Sequence, residues 1–507
     1  MDFPVVIVGA GFSGLAAGIL LKKAGVDSFT IVEKLPGVGG TWRANTYPGA
    51  ACDVQSHLYS FSFEPNPRWS RSYGPQQEIL AYLERCAEKY GLTPHCRFDT
   101  AVTGADFDEA RGLWTVHTTG GDLPARALVL GNGALHLPAY PEIEGLREFK
   151  GPVFHSAQWD HSFDPAHKKI GVIGTGASAI QFVPQIAPAS KTTHVFQRTP
   201  PWIMPKPDRP MKRAERWAME HIPGAHWARR TGLYWRLESR AYPLIHDAPR
   251  ISAFAENIAK KFIAEQIADP ALRAKVTPDY RLGCKRVLLS NDWYPTLARA
   301  NVELVTDGIE RIEASGIRTK DGALREVDAI ILGTGFRVAD YLSPVRIVGR
   351  GGRELNDVWR DQLATYLGIT VAGFPNLFLL MGPGTGLGHN SMIFMIEAQA
   401  RYAAQSIAAL ARSGVAYMDV RPEAQAAFTD ELERKNSQTV WASGCSSWYR
   451  TPNGGLVTWP GFTFDYWRRT RRVDWSDYEL RAPQPVVASI HEAGPRDRDR
   501  ARRAQRV

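Results

Sequence analysis

Two glycine-rich segments are the residues of this sequence whose types and spacing most directly predict chemistry. One reads G-A-G-F-S-G and the other G-T-G-A-S-A, and each follows an apolar run and precedes a helical pattern. At this spacing the first glycine permits a tight turn, the second lets backbone approach a pyrophosphate, and the third position packs helix against strand. The helix N-terminus also favours the phosphate charge. The sequence therefore predicts two dinucleotide sites, formed by Gly9, Gly11 and Gly14 and by Gly174, Gly176 and Ser178.

The residues that end the second strand of each unit predict different nucleotides. Glu33 follows the apolar run F-T-I-V, and a carboxylate there suits a ribose 2′-hydroxyl but repels a 2′-phosphate. The corresponding strand of the second unit ends in Arg198 and Thr199, whose fork of donors and hydroxyl match a phosphomonoester. We therefore predict FAD or NAD in the first site and NADP(H) in the second.

The order of these units predicts an α/β fold with two nested Rossmann-like dinucleotide-binding domains and a helical insertion. Within the insertion we expect helices at about 213–225 and 251–268, because apolar residues recur there with helical spacing. The boundaries that we predict are 1–140 and 335–490 for the first domain, 141–204 and 281–334 for the second, 205–280 for the insertion, and 491–507 for a disordered basic tail.

Composition and charge favour a large oxidoreductase over a nucleic-acid-binding protein. The formal net charge of 507 residues is +9, and two anionic dinucleotides and the arginine-rich tail account for this excess without a nucleic-acid partner. The first strand begins near residue 4, which leaves no room for a signal peptide, and no apolar run is long enough to cross a bilayer. We expect a cytoplasmic protein. Five cysteines without zinc spacing predict reduced thiols and no metal site, and they are Cys52, Cys86, Cys96, Cys284 and Cys445.

Three motifs make the chain resemble the type I Baeyer-Villiger monooxygenases, a family of class B flavoprotein monooxygenases. The motif F-x-G-x-x-x-H-x-x-x-W-D occupies residues 149–160, and G-G-x-W-x-x-x-x-Y-P-G-x-x-x-D occupies residues 39–53. The third motif is the adjacent pair Lys285 and Arg286. Together with the glycine-rich segments, the resemblance covers residues from about 5 to 450.

The resemblance implies an enzyme in which NADPH reduces FAD and the reduced flavin forms a C4a-peroxyflavin with O2. The peroxide then attacks a small-molecule ketone to give an ester or lactone. A peroxyanion needs a fixed positive charge that cannot lose a proton, and Arg has that property. Arg286 is the candidate catalytic cation, and Asp53 is the acid that would hold and orient it.

The resemblance also implies the residues that surround the cofactors. FAD would occupy the first domain, in contact with Gly40, Thr41, Trp42 and Asp53. Lys285 would join the basic residue and hydroxyl of the second unit around the NADP 2′-phosphate. Trp441 resembles the tryptophan that lies over the nicotinamide ribose in the family, and Trp448 competes for this assignment. His155 receives no catalytic role, because the family treats this histidine as part of a hinge.

Three other classes of protein share some of these features. A flavin-containing monooxygenase acting on nitrogen or sulfur shares both glycine-rich segments, but the W-D ending and the Asp53/Arg286 pair favour ketone oxidation. A pyridine-nucleotide disulfide reductase needs two neighbouring cysteines near the flavin, and Cys86 and Cys96 lie in no such context. A non-enzymatic flavin-binding module would have no use for a second, phosphate-selective site.

Overall fold

Two parallel five-stranded sheets carry the two glycine-rich segments. The computed structural model describes residues 3–338, 342, 344–445, 447, 449–451 and 455–482. The central strands of the first sheet are almost entirely apolar, because helices and a further sheet bury both of its faces. All neighbours in this sheet are parallel, in the order Leu377–Leu379, Ala127–Leu130, Val5–Val8, Phe29–Val32 and Cys96–Arg97.

The second sheet repeats this parallel arrangement. A run of buried aliphatic residues again forms its centre, and the second glycine-rich turn follows the middle strand directly. Its strands lie in the order Val302–Val305, Thr192–Phe196, Lys169–Ile173, Ala329–Leu332 and Val153–His155.

The described residues also form smaller sheets that extend these two units. One four-stranded sheet contains Arg346–Val348, Val102–Asp108, Leu113–Thr118 and Leu123–Ala125. An antiparallel sheet contains Ile309–Glu313, Gly316–Thr319 and Leu324–Glu326. Two further pairs are Ile203–Met204 with Leu288–Leu289 and Tyr417–Val420 with Tyr478–Arg481.

Helices cover the parallel sheets. Phe12–Lys23, which follows the first glycine-rich turn, packs against the long helix Met392–Ser413. The other helices outside the predicted insertion are Thr41–Ala44, Gln76–Lys89, Ala179–Ile186, Trp293–Leu297, Leu355–Val358, Pro422–Asn436 and Thr463–Thr470.

The region predicted as a helical insertion contains helices at Arg213–His221, Ala225–Ile245, Pro249–Gln266 and Pro270–Val276. The helix predicted over 213–225 is present but ends earlier, at His221, because Pro223 and Gly224 separate it from the next helix. Glu238, on the second helix, is fully buried and accepts hydrogen bonds from Asn390 Nδ2 at 2.5 Å and Thr463 Oγ1 at 2.8 Å. This carboxylate ties the helical region to the helices beside the first sheet.

The two chain segments that connect the parallel sheets run side by side. The backbone N of Ala139 donates to the carbonyl of Gly335 at 2.9 Å, and Thr334 Oγ1 donates to the carbonyl of Ala139 at 2.6 Å. Among the described residues, no helix is long and apolar enough to cross a membrane. The predicted basic tail at 491–507 lies outside the described residues.

Candidate active site

The first glycine-rich turn is closed by a second loop that packs directly on it. The turn residues Gly9, Gly11 and Gly14 precede and begin the helix Phe12–Lys23. Gly40 has a φ of +53°, and a Cβ added there would lie 2.9 Å from Cα of Gly11. Only glycine fits this contact, so the two loops form a wall of bare backbone. A pyrophosphate can approach such a wall closely.

Glu33 holds this turn against the second strand of the first sheet. Its buried carboxylate accepts hydrogen bonds from the backbone N of Ala10 at 2.7 Å and of Leu35 at 2.9 Å. The carboxylate therefore fixes the shape of the glycine-rich turn. The ribose contact expected from the sequence stays a prediction.

The short helix Thr41–Ala44 orients Trp42 next to the first turn. The indole Nε1 of Trp42 donates to the hydroxyl of Tyr59 at 3.2 Å. Tyr59 packs edge-on against Phe12, at 5.2 Å between ring centroids, and Phe12 is the first residue of the helix behind the turn. These contacts hold Thr41 and Trp42 beside the predicted FAD site, and their contact with the cofactor stays a prediction.

The segment 47–53 crosses from the first unit and docks on the helix Ala179–Ile186 of the second. Nε2 of Gln181 donates to the carbonyl of Ala51 at 3.1 Å, and its Oε1 accepts from the backbone N of the same residue at 3.1 Å. The amide thus pairs with the segment as a neighbouring strand would. Asp53, the last residue of the segment, is placed at the junction of the two units.

Asp53 and Arg286 form an ion pair at this junction. The guanidinium donates from Nε at 2.9 Å and from Nη2 at 2.6 Å to the same oxygen, Oδ2, of Asp53. The exposed fraction of the side chain is 25% for Asp53 and 28% for Arg286. Nη1 has no hydrogen-bond partner within the part of the chain that the structure describes. One donor and one face of the pair are therefore available to a bound molecule.

The two charges stabilise each other. Burial alone would raise the pKa of the Asp53 carboxyl, but the charge and hydrogen bonds of Arg286 outweigh burial and hold that pKa below its usual value. The charge of Asp53 raises the pKa of Arg286, and Lys206 adds a further positive charge that favours the ionised carboxylate. Both groups are ionised at neutral pH, so the guanidinium is a fixed cation that does not release a proton.

The second glycine-rich turn has an equally close backbone contact. Gly174 has a φ of +108°, and a Cβ there would lie 2.4 Å from the carbonyl oxygen of Gly333. A Cβ added at Gly176 would have no atom of the described residues within 4 Å. Ser178 then precedes the helix Ala179–Ile186. This open backbone at a helix N-terminus suits a pyrophosphate.

Arg198, Thr199 and Lys285 lie around this second turn. Thr175 Oγ1, within the turn, donates to the carbonyl of Thr199 at 3.5 Å. Burial lowers the pKa of Lys285, and repulsion from the neighbouring charge of Arg198 lowers it further. The Lys285 ammonium also lies 4.7 Å from the ring centroid of Tyr280. Two cations that repel each other in the free protein would be stabilised by a bound dianion such as a 2′-phosphate.

Trp441 belongs to a buried cluster next to the ion pair. It is 1% exposed, and its ring centroid lies 5.4 Å from that of Tyr449. Burial raises the pKa of Tyr449 to about 12, although the nearby charge of Arg286 lowers it. The placement of Trp441 over a nicotinamide ribose stays a proposal, and the competing Trp448 lies outside the described residues.

The prediction of five reduced thiols is wrong for two cysteines. Cys284 and Cys445 are joined by a disulfide, with Cα atoms 6.3 Å apart and a sequence separation of 161 residues. Spacing along the chain does not reveal such a pair, because only the folded chain brings the two residues together. The remaining cysteines are free and are Cys52, Cys86 and Cys96.

The motif at 149–160 makes structural contacts. His155 is completely buried, and its Nδ1 accepts from the backbone N of Ala157 at 3.0 Å. Asp160 Oδ1 accepts from the backbone N of Ser162 at 2.9 Å and from its hydroxyl at 2.6 Å. These bonds shape the loop that follows the edge strand of the second sheet, and the expectation that His155 has no catalytic role stays a prediction.

Sequence reasoning missed residues that support the site from distant segments. Gln181 lies in the first turn of the helix after the second glycine-rich segment, so a search for polar residues in that turn could have found it. Lys206, whose ammonium lies 5.1 Å from the ring centroid of Tyr73, carries no sequence signal, because its position beside Asp53 depends on the fold. The same holds for Tyr449.

A family model matches a stretch of the chain that contains both glycine-rich segments. Residues 6–222 match the family described as pyridine nucleotide-disulphide oxidoreductase. The cysteines within this stretch, Cys52, Cys86 and Cys96, are all free. The matched region therefore shows the nucleotide-binding architecture without the cysteine pair that a disulfide reductase requires.

Relatives that match nearly the whole chain are monooxygenases. A Baeyer-Villiger monooxygenase from Pseudomonas aeruginosa is 48% identical over 493 residues, which is 96% of this chain and 93% of the relative. Another from Streptomyces coelicolor is 45% identical over 95% of this chain and 93% of the relative. An FAD-binding monooxygenase from Aspergillus niger is 38% identical over 94% of this chain and 81% of the relative.

Solved structures give the same result. An oxidized steroid monooxygenase bound to NADP has a TM-score of 0.85 and 33% identity, over 95% of this chain and 99% of that protein. Cyclohexanone monooxygenase from Rhodococcus bound to NADP+ has a TM-score of 0.86 and 29% identity, over 94% and 99%. The protein OTEMO in complex with FAD and NADP has a TM-score of 0.86 and 27% identity, over 94% and 99%.

These comparisons confirm the predicted resemblance, the α/β fold class, the flavin-dependent monooxygenase class and the cofactor pair FAD and NADP(H). They give no preference to a nitrogen- or sulfur-oxidising enzyme. With 48% identity over 96% of its length to a member, the chain belongs to the Baeyer-Villiger monooxygenase family.

Proposed function

We propose that this chain uses NADPH and O2 to insert one oxygen atom beside the carbonyl carbon of a small-molecule ketone, giving an ester or lactone. The observation that carries this proposal is the Asp53–Arg286 pair, a fixed cation with one unused donor at the junction of two backbone cradles. We also propose that the enzyme works in the cytoplasm, the compartment predicted from the sequence.

The residues present fit the two cofactors of the family. The bare backbone wall at Gly11 and Gly40 fits a pyrophosphate, and we place FAD there, within 1–140 and 335–490. The cations Arg198 and Lys285 fit a 2′-phosphate, and we place NADP(H) there, within 141–204 and 281–334. When bound, NADPH supplies a hydride and FAD supplies the group that accepts it and activates oxygen.

Arg286 would then stabilise the negative charge that develops on oxygen during attack on the carbonyl. Such charge is best stabilised by a donor that is already in position and needs no proton transfer. Asp53 fixes the orientation of the guanidinium through two hydrogen bonds to one oxygen. It also balances the charge of Arg286, whose burial without a partner would be costly.

Oxidation of an amine or a sulfide is the second candidate function, because such enzymes need the same cofactors. The lone pair of nitrogen or sulfur attacks oxygen directly, so no negative charge develops on a carbonyl oxygen. A fixed cation held by a dedicated carboxylate is of less use to such a reaction. The Asp53–Arg286 pair therefore favours the ketone.

Oxygen labelling tests the proposed function. The purified enzyme with FAD is supplied with NADPH, ¹⁸O₂ and, in separate reactions, a phenyl ketone, a tertiary amine and a thioether. We expect an ester that carries one ¹⁸O atom, formed at a rate matched by NADPH consumption, and slower oxidation of the thioether. Exclusive formation of an N-oxide or sulfoxide would establish the second candidate, and hydrogen peroxide as the sole product with every substrate would overturn both.

A further inference from the structure

The disulfide between Cys284 and Cys445 lies within the proposed active site. Cys284 is fully buried and immediately precedes Lys285 and Arg286, whereas Cys445 is half-buried. Their Cα atoms are 6.3 Å apart, which is within the range that a disulfide spans without backbone movement. The bond can therefore form and break in the folded protein.

Contacts around the pair join two distant segments. Ser443 Oγ lies 3.2 Å from Sγ of Cys284 and donates to the carbonyl of Val440 at 2.7 Å. Val440, Trp441 and Tyr449 form one buried cluster with Cys284. The disulfide adds a covalent bond between this cluster and the residues directly before Arg286. Its formation thus fixes Trp441 relative to the catalytic cation.

We propose that Cys284 and Cys445 are an oxidation site for hydrogen peroxide, and that the disulfide form of the enzyme turns over more slowly than the dithiol form. The source of the oxidant rests on the proposed function, because NADPH oxidation that is not coupled to substrate oxygenation releases hydrogen peroxide at this site. In the reducing cytoplasm a disulfide is usually transient and redox-sensing. The structure thus shows the oxidised form of the pair, and the dithiol is the form that the proposal expects between oxidation events.

The chemistry balances with hydrogen peroxide as the oxidant. The half-buried Cys445 thiolate attacks one peroxide oxygen, the O–O bond breaks, hydroxide leaves and a sulfenic acid forms. The Cys284 sulfur then attacks the Cys445 sulfur, the S–S bond forms, and the sulfenic oxygen leaves as water. Two thiols lose two electrons and two protons, and the peroxide becomes two water molecules. A small thiol reverses the bond by exchange.

The position of the cross-link explains why turnover would fall. Lys285, which we place at the 2′-phosphate of NADP(H), directly follows Cys284, so release of NADP+ is fastest when the contacts between this segment and the Trp441 cluster can loosen. A covalent bond from Cys445 to Cys284 restrains those contacts. The oxidised enzyme therefore retains NADP+ longer and accumulates less of the peroxide that oxidised it.

The experiment uses the full-length enzyme with FAD, first reduced with dithiothreitol and freed of the reductant. Hydrogen peroxide is added, and peptide mass spectrometry with thiol alkylation follows the state of each cysteine. NADPH turnover and the rate of NADP+ release are measured on the same samples, before and after renewed treatment with dithiothreitol. The variants are Cys445→Ser and Cys284→Ser, and Cys96→Ser, which removes a half-buried free thiol, is the matched control.

We expect peroxide to convert the pair to a disulfide, to slow NADP+ release and turnover several-fold, and to do so reversibly. Cys445→Ser and Cys284→Ser should resist this loss, and Cys96→Ser should behave as the unsubstituted enzyme. A pair that forms its disulfide without any change in NADP+ release would overturn the proposal. So would equal, reversible inhibition of Cys445→Ser, or a disulfide that dithiothreitol does not reduce in the folded protein. Thiol state and NADP+ release are read without any ketone, so a failure here is distinct from a failure of the proposed function.

Discussion

At the scale of single residues, Arg198 offers the sharpest test of cofactor choice. The 2′-phosphate is absent from NADH, so a residue that recognises it affects NADPH alone. We expect Arg198→Ala to raise the KM for NADPH roughly ten- to a hundred-fold, the cost of losing hydrogen bonds to a charged group, and to leave the KM for NADH unchanged. Steady-state kinetics with both nucleotides give the answer. The exposed Arg250 provides the control, since Arg250→Ala should change neither constant, and an equal effect of Arg198→Ala on both nucleotides would contradict the assignment.

The burial of His57 allows a prediction of how the free energy of unfolding depends on pH. Burial, together with the charges of His226 and Arg229, lowers its pKa from 6.5 to about 4. Between these two values the unfolded state binds more protons than the folded state, so stability is complete above pH 6.5 and falls as the pH falls toward 4. The loss at His57 is about 3 kcal/mol. Melting temperatures measured from pH 7 to 4 should fall less steeply for His57→Phe than for the unsubstituted protein.

His117 is the control for this prediction, because the hydrogen bonds that its ring donates to Asp106 and Asp122 raise its pKa. The contribution of His117 is present at low pH and is lost as the pH rises through its folded pKa. His117→Asn should therefore leave the acid side of the melting profile as steep as before. An unchanged acid side in His57→Phe would show that other groups dominate acid unfolding.

At the scale of elements, the contact between the two loops of the first cradle is directly testable. Gly40→Ala places a Cβ 2.9 Å from Cα of Gly11, whereas at Gly25, which also has a positive φ of +80°, no atom lies within 4 Å of an added Cβ. Both substitutions place a Cβ at a positive φ, and at Gly40, where ψ is −122°, backbone strain adds to the close contact. We expect only Gly40→Ala to purify with little FAD, as measured by absorbance. Equal FAD content in the two variants would argue against the close contact.

Elements marked by local patterns were the most predictable part of the molecule. Each glycine-rich segment lies directly between a strand and a helix, so its residues predicted the order of these elements along the chain. Helix ends were less predictable, and the helix expected to reach residue 225 ends at His221, before Pro223 and Gly224. The motif at 39–53 predicted Asp53 as a site residue. The hydrogen bonds between this segment and Gln181, however, join two units, and no local pattern encodes a contact between segments so far apart in sequence.

At the scale of the whole molecule, Glu238 holds the helical region to the rest of the chain. Glu238→Ala would leave Asn390 and Thr463 buried without their acceptor, so we expect a loss of about 2–5 kcal/mol in the free energy of unfolding. Urea unfolding measures this loss. The exposed Glu265, whose carboxylate lies 3.8 Å from the Lys261 ammonium, is the control, and Glu265→Ala should cost less than about 0.5 kcal/mol. A loss as small for Glu238→Ala would mean that the helical region is held elsewhere.

Long-range chemistry was only partly predictable at this scale. Sequence motifs predicted both Asp53 and Arg286, although 233 residues separate them. The structure adds that two of the three guanidinium nitrogens, Nε and Nη2, donate to the same carboxylate oxygen. The disulfide between Cys284 and Cys445 had no such motif. Its formation depends on a fold that returns the chain to the first unit after the second, and that return brings the two cysteines together.

The measurement that tests the central claim most directly compares ester formed per NADPH oxidised in the unsubstituted enzyme, Arg286→Ala and Arg286→Lys. If Arg286 is the fixed cation for oxygen transfer to a ketone, Arg286→Ala keeps its FAD and is reduced by NADPH, but it forms hydrogen peroxide and essentially no ester. Arg286→Lys should recover little activity, because an ammonium lacks the fork that reaches Asp53 and the substrate together. Ester formation by Arg286→Ala at the yield of the unsubstituted enzyme would contradict this account.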